Sequence, residues 1–160
     1  MRPSKPCGAR PQECGMRVVL DTNILVSGML SAGGPPGWIM EAVLAGEFEP
    51  ISDSAISGEY KEVLARAEFS FPPAQIDRVL AALDRYSFQV VAAGPWPIAL
   101  PDPDDEPFLA TASAAGCVLV TGNLRHDPAN VRQGVVVLSA REFVNRARAF
   151  QRTGHRETRP

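Results

Sequence analysis

Histidine and cysteine are scarce in this chain, with two and three copies among 160 residues. That scarcity argues against a zinc site built from clustered His and Cys. An odd count of cysteines without repeated spacing (Cys7, Cys14 and Cys117) argues against a disulfide framework. Charge of one sign is lacking too: the net charge is −2, so no global positive field marks a nucleic-acid binder. No apolar run reaches the roughly 18 residues that a bilayer span needs. No segment carries the successive charged, apolar and small-residue zones of a secretion signal. The cytoplasm is therefore the expected location.

What is present suits one ordinary core. The hydrophobic fraction is 45%, and the length fits a single domain. Residues 1–15 hold Pro, Gly and charge with little apolar content, so disorder is expected there, with Met16 as the expected start of translation. Residues 16–150 form the expected domain, and 151–160 a frayed tail. Within the domain, short apolar strands are expected at 17–20, 48–53, 88–92, 117–121 and 135–138. Cys117 opens the CVLV run and reads as a core residue. Helices are expected from Pro35–Pro36 to about 45, from a cap at Ser52, Asp53 or Ser54 to about 67, and over 72–86. Two more are expected, at about 104–115 and after Ser139, whose capping-box partner is Glu142. Strands alternating with helices in this way predict an α/β fold with a mostly parallel sheet of about five strands, covered on both faces.

Parallel sheets of this kind gather ligands at the carboxyl ends of their strands. Asp21 directly follows the apolar run Val18-Val19-Leu20. A carboxylate at the edge of a core is costly unless something compensates it. In the helix that follows the second strand, Ile56, Tyr60, Val63, Leu64 and Ala67 make the apolar stripe; Glu59 lies at its border and Glu62 faces solvent. In DPDDE (102–106), Asp105 lies on the same helical face as Phe108 and Leu109 and points inward. Asp104 is placed to cap that helix, and Glu106 reads as a solvated first-turn acid. The stretch VTGNLRHDP (120–128) leaves the strongest strand and offers Thr121, Asn123 and Asp127. Acids from separate parts of the chain thus map to one sheet edge. Their repulsion is relieved by a shared hard cation, and Mg²⁺ or Mn²⁺ suits an all-oxygen donor set.

The stretches VVLDTNILVSG, ISGEYKEVL, DPDDEPFLATASAAG and LVTGNLRH, in this order, resemble the PIN domain family. The match is closest to the subgroup assigned as toxins of bacterial toxin–antitoxin systems. The resemblance covers about residues 16–145 and implies a three-layer α/β/α sandwich and a metal-dependent ribonuclease. It implies that Asp21, Glu59 and Asp105 are the catalytic acids and metal ligands, with Asn23 in the motif of the first acid. Counting back eleven residues from Gly116 also reaches Asp105. The fourth acidic position departs from the family pattern: His126 stands at the usual aspartate and Asp127 comes one residue late. Asn123 and Asp127 are therefore alternative oxygen donors.

Asn23, Thr121 and Arg125 are expected on the substrate side, with Lys61, Arg66 and the basic C-terminus (Arg141, Arg146, Arg148, Arg152, Arg156, Arg159) as weaker phosphate contacts or as a solvated face. The expected partners are RNA and an antitoxin protein. Trp38, Ile39 and Val43 serve either a homodimer face or the core. Two alternatives stand beside the ribonuclease. One is a PIN-like binding module with an incomplete acid set. The other is a haloacid-dehalogenase-like phosphatase, whose motif needs an aspartate where Asn23 stands.

Overall fold

The computed structural model describes residues 16–91 and 95–156, with side chains to 153. The leader 1–15, with Cys7 and Cys14, lies outside the described residues, as do 157–160 of the expected tail. The strands are β1 (Met16–Leu20), β2 (Phe48–Ser52), β3 (Phe88–Gln89), β4 (Val118–Val120) and β5 (Val137–Leu138). The helices are α1 (Thr22–Leu30), α2 (Pro35–Leu44), α3 (Ser54–Leu64), α4 (Pro73–Tyr86), α5 (Glu106–Ala115) and α6 (Ala140–Arg156). The strands make one sheet in the order β3-β2-β1-β4-β5, every pair parallel. Helices flank it, giving the three-layer α/β/α sandwich that the alternation predicts.

The strand order places the site. The chain builds outward from β1 to β2 and β3, then crosses to the other side for β4 and β5. The crevice between β1 and β4 is therefore the point where the winding reverses, which is where such sheets bind ligands. Leu20 pairs with Val120 there, and the N–H of Asp21 donates to the carbonyl of Val120 at 2.9 Å. Val18, Val19 and Leu20 are 0% exposed, as a central strand covered on both faces requires.

Local signals position the other elements. Asp53 caps α3, its Oδ1 accepting from the N–H of Ile56 at 2.8 Å. Ser139 and Glu142 exchange both capping-box bonds at 3.2 Å. Gly116 ends α5 in the left-handed region (φ 63°), and its N–H returns to the last turn. The phenol of Tyr60 donates to the carbonyl of Leu20, tying α3 to the end of β1.

Several expectations are corrected. Helix α1 has no counterpart among the expected elements, because Thr22, Ile24, Val26 and Gly28 are weak helix formers. It is held by packing: a Cβ on Gly28 would lie 2.7 Å from the Pro36 carbonyl oxygen of α2. Helix α3 stops at Leu64, and Ala67 starts a separate 3₁₀ turn. Asp102, not Asp104, caps the turn before α5, accepting from the N–H of Asp104 at 3.0 Å. Glu106 is not free in solvent; it accepts the N–H of Trp96 at 2.6 Å and so anchors the Pro-rich connection. Helix α6 continues through Arg156, into the segment expected to fray. Ile39 and Val43 are fully buried, and the Trp38 ring lies 5.8 Å from Phe48 with the Arg148 guanidinium 5.4 Å from its centroid. Core burial is therefore the use the structure shows for Ile39 and Val43, the second of the two expected.

Replacing Tyr60 with Phe removes one buried hydrogen bond and is expected to lower unfolding free energy by about 1 kcal/mol. Gly116→Ala forces a side chain into the left-handed region and is expected to lower it by about 1–2 kcal/mol. Urea denaturation measures both.

Candidate active site

Four short segments converge past the carboxyl ends of β1 and β4. Asp21 leaves β1, and its Oδ2 accepts from the Thr121 hydroxyl at 2.7 Å, across the crevice from the end of β4. Thr121 is buried, and its Oγ1 also accepts the N–H of Asn123 at 3.1 Å. One hydroxyl thus sets both the first carboxylate and the turn that follows β4. The amide oxygen of Asn23 accepts the N–H of Gly122 at 3.0 Å and closes the two strand ends from above. A phosphatase of the haloacid-dehalogenase type needs a carboxylate at this position; here the side chain is a brace.

Glu59 reaches the crevice from the border of the α3 stripe, as its helical angle predicts. Its Oε2 accepts from the hydroxyl of Thr22 at 2.6 Å. Thr22 has no part in the sequence argument, although it sits beside Asp21 in the DTN motif. A groove of about 730 Å³ opens between α3 and α5, lined by Glu59, Glu62, Asp104, Glu106 and Arg66.

Asp105 is 7% exposed at the start of α5, and Asp127 is 1% exposed in the loop after β4. Asp105 Oδ2 and Asp127 Oδ1 are buried oxygens with no hydrogen-bond partner. Buried acceptors of this kind are rare and call for an explanation. Asp127, although one position late in the motif, is the residue the loop turns inward. The side chain of Asn123, the alternative donor, meets the His126 ring: its Nδ2 lies 3.0 Å from Nε2. The reason is local, since the Asn123 N–H is tied to Thr121 and a 3₁₀ turn follows over Leu124–His126. Arg125 is exposed on that turn, and Lys61 and Arg66 are exposed on and just past α3.

His126 and Asp102 carry no expected role, yet the fold brings both to Asp105. Nδ1 of His126 lies 3.4 Å from Asp105 Oδ2 and 3.9 Å from Asp102 Oδ2. The signal for Asp102 was present in the acidic run DPDDE, but its helical position points nowhere, because it precedes the helix.

The electrostatics follow from crowding. Burial pushes the Asp105 carboxyl up to about 7, and the charges of Asp21, Asp127 and Asp102 add to the rise while His126 opposes it. Burial pushes Asp127 to about 6, with Asp21 the next contributor and Arg132 opposing. Burial also raises Asp21, against the Thr121 hydroxyl and the N–H groups of Asn23 and Thr22. Glu59 is raised by burial, opposed by Thr22 and assisted by Asp21 and Asp104. A divalent cation fits these residues: the donors are carboxylate oxygens, two of them are buried without a donor, and their mutual repulsion is what a shared cation removes.

A family model described as PIN domain matches residues 17–125. Among solved structures, a chain from the crystal structure of VapBC2 from Rickettsia felis bound to a DNA fragment from their promoter aligns with a TM-score of 0.53. The identity is 14%, and the alignment covers 78% of this chain and 98% of that one. Likeness at that identity speaks to the fold alone. No curated protein matches this chain. Among the described residues, no helix is long and apolar enough to cross a membrane.

Asp105 and Asp127 bind protons more tightly when folded, at about 7 and about 6, than the ordinary 3.8 of an unfolded aspartate. Folding therefore takes up protons between those values. The stability they contribute is complete below pH 3.8 and is lost as pH rises through about 6 and about 7. In chelator, the melting temperature is expected to fall across that window. Asp105→Asn should flatten the fall and melt higher than the native chain at pH 8. A native profile that rises through the same window would contradict the crowded-carboxylate description.

Proposed function

We propose, from the premise that the chain belongs to the PIN domain family, that it is a Mg²⁺- or Mn²⁺-dependent endoribonuclease and the toxin of a bacterial toxin–antitoxin pair. The observation that carries the nuclease is the pair of buried carboxylate oxygens without a donor, on Asp105 and Asp127, beside Asp21. Asp21, Asp105 and Asp127 would hold the cation, and Glu59 would complete the set directly or through water. When bound, the cation supplies an acidified water and positive charge against the scissile phosphate.

The chain's own residues do the remaining work. The Thr121 hydroxyl fixes the orientation of Asp21, and the Thr22 hydroxyl fixes that of Glu59. Glu59 orients the attacking water and accepts its proton, a role favoured by its raised pKa. Arg125 is exposed beside the crevice and meets the RNA phosphate; Arg66 and Lys61 extend the positive contacts along α3. Asn23 and Thr121, expected as substrate contacts, act on the substrate indirectly by holding the strand ends together. The antitoxin would cover this acidic edge. The assembly named in the VapBC2 structure supports that partner by analogy of fold.

Cleavage of single-stranded RNA is expected with Mn²⁺ or Mg²⁺ and not in chelator. Asp21→Asn should abolish it, and Glu59→Gln should reduce it by about 10²–10⁴-fold. Thermal melting in metal-free buffer should show both variants folded. Cleavage by Asp21→Asn equal to that of the native chain would overturn the assignment. Co-purification with the product of the adjacent small gene tests the antitoxin.

A further inference from the structure

His126 stands where the family pattern places a carboxylate, and the structure shows where its ring goes. Its Nδ1 and one oxygen each from Asp102 and Asp105 lie within 4.8 Å of one another, a span a single ion can bridge. Asp105 Oδ2, the oxygen His126 faces, is a buried acceptor without a hydrogen-bond partner in a residue 7% exposed. The other side of the ring is also held: Nε2 lies 3.0 Å from the Asn123 amide, whose backbone is pinned to Thr121. A ring braced on one nitrogen and aimed at carboxylates by the other has the arrangement of a metal-ligating imidazole with its supporting partner.

We propose that His126 Nδ1, Asp105 and Asp102 form a mixed nitrogen–oxygen metal site that makes this centre selective for Mn²⁺ over Mg²⁺. The proposal rests on the reading of Asp105 as a metal ligand and adds Asp102 and His126 to the donors around it. Mg²⁺ favours oxygen donors alone and keeps its waters, whereas imidazole suits the transition metals. Exchanging a carboxylate for an imidazole also removes one negative charge from the donor set. That weakens the pull on a hard cation more than on one that gains from nitrogen. Ligation by Nδ1 leaves the ring proton on Nε2. A half-turn of the Asn123 amide then presents its oxygen as the acceptor, at the same 3.0 Å position. Asn123 is thereby a positioning residue, not a ligand.

The test is calorimetric titration of the full chain with Mn²⁺ and, separately, Mg²⁺. The native chain is compared with His126→Ala, His126→Asp and Asp21→Asn, each checked for folding by melting in chelator. His126→Ala should weaken Mn²⁺ binding by about tenfold or more and change Mg²⁺ binding little. His126→Asp should reverse the preference toward Mg²⁺. A second readout uses the chain's two histidines: with diamagnetic Zn²⁺ as probe, one ring nitrogen signal should shift, and that signal should be missing from His126→Ala. Equal Mn²⁺ affinity in native and His126→Ala chains, with both metals weakened by Asp21→Asn, would overturn this site and leave the acidic centre standing. No binding of either metal to the native chain would overturn both.

Discussion

Asp21, Asp105 and Asp127 share one crevice, and the charge on each makes it harder for another to ionise. Most of the local architecture holds these repelling groups together. The Thr121 hydroxyl bonds Asp21 across the crevice, Asn23 ties the turn after β4 to the start of α1, and Arg132 Nε donates to the Asp127 carbonyl. Burial raises the stakes, because a carboxylate deprived of water needs either a proton or a cation. The fold thus stores an unfavourable arrangement that a dication would relieve, and a core of buried side chains from strands and helices supplies the stability to keep it.

The sheet order is what makes the crowding possible. Strands β1 and β4 are neighbours although about a hundred residues separate them in sequence, and the bond between Thr121 and Asp21 spans that separation. Helices α3 and α5 then bring Glu59 and Asp105 in from the flanks. Each acid is carried by a different element, so the arrangement is only as rigid as the packing between elements. Tyr60 meets this need by linking α3 to the last carbonyl of β1. Nearby, the groove between α3 and α5 carries several acids and one arginine, and continues the acidic character of the crevice.

The loop after β4 is the least regular part of the site. Its two 3₁₀ turns, Leu124–His126 and Ala129–Val131, turn Asp127 inward and set His126 against Asp105 and Asp102. The lateness of Asp127 in the motif is absorbed by the path of the loop. The side chain of Asn123 meets the His126 ring, and its backbone N–H is tied to Thr121.

Chain-local chemistry determined a good deal. Apolar runs bounded by turn residues marked the strands, helical angle separated Asp105 from Asp104 and placed Glu59 at a border, and Ser139 with Glu142 announced α6. These features depend on neighbours a few residues apart, and a sequence states such neighbours directly. Helix α1, the brace roles of Thr22, Asn23 and Thr121, the bond of Glu106 to Trp96, and the meeting of His126 with Asp102 and Asp105 depend on contacts between distant segments. Only tertiary structure decided those, because the energy that selects them comes from packing and burial that exist once the sheet has closed and not before.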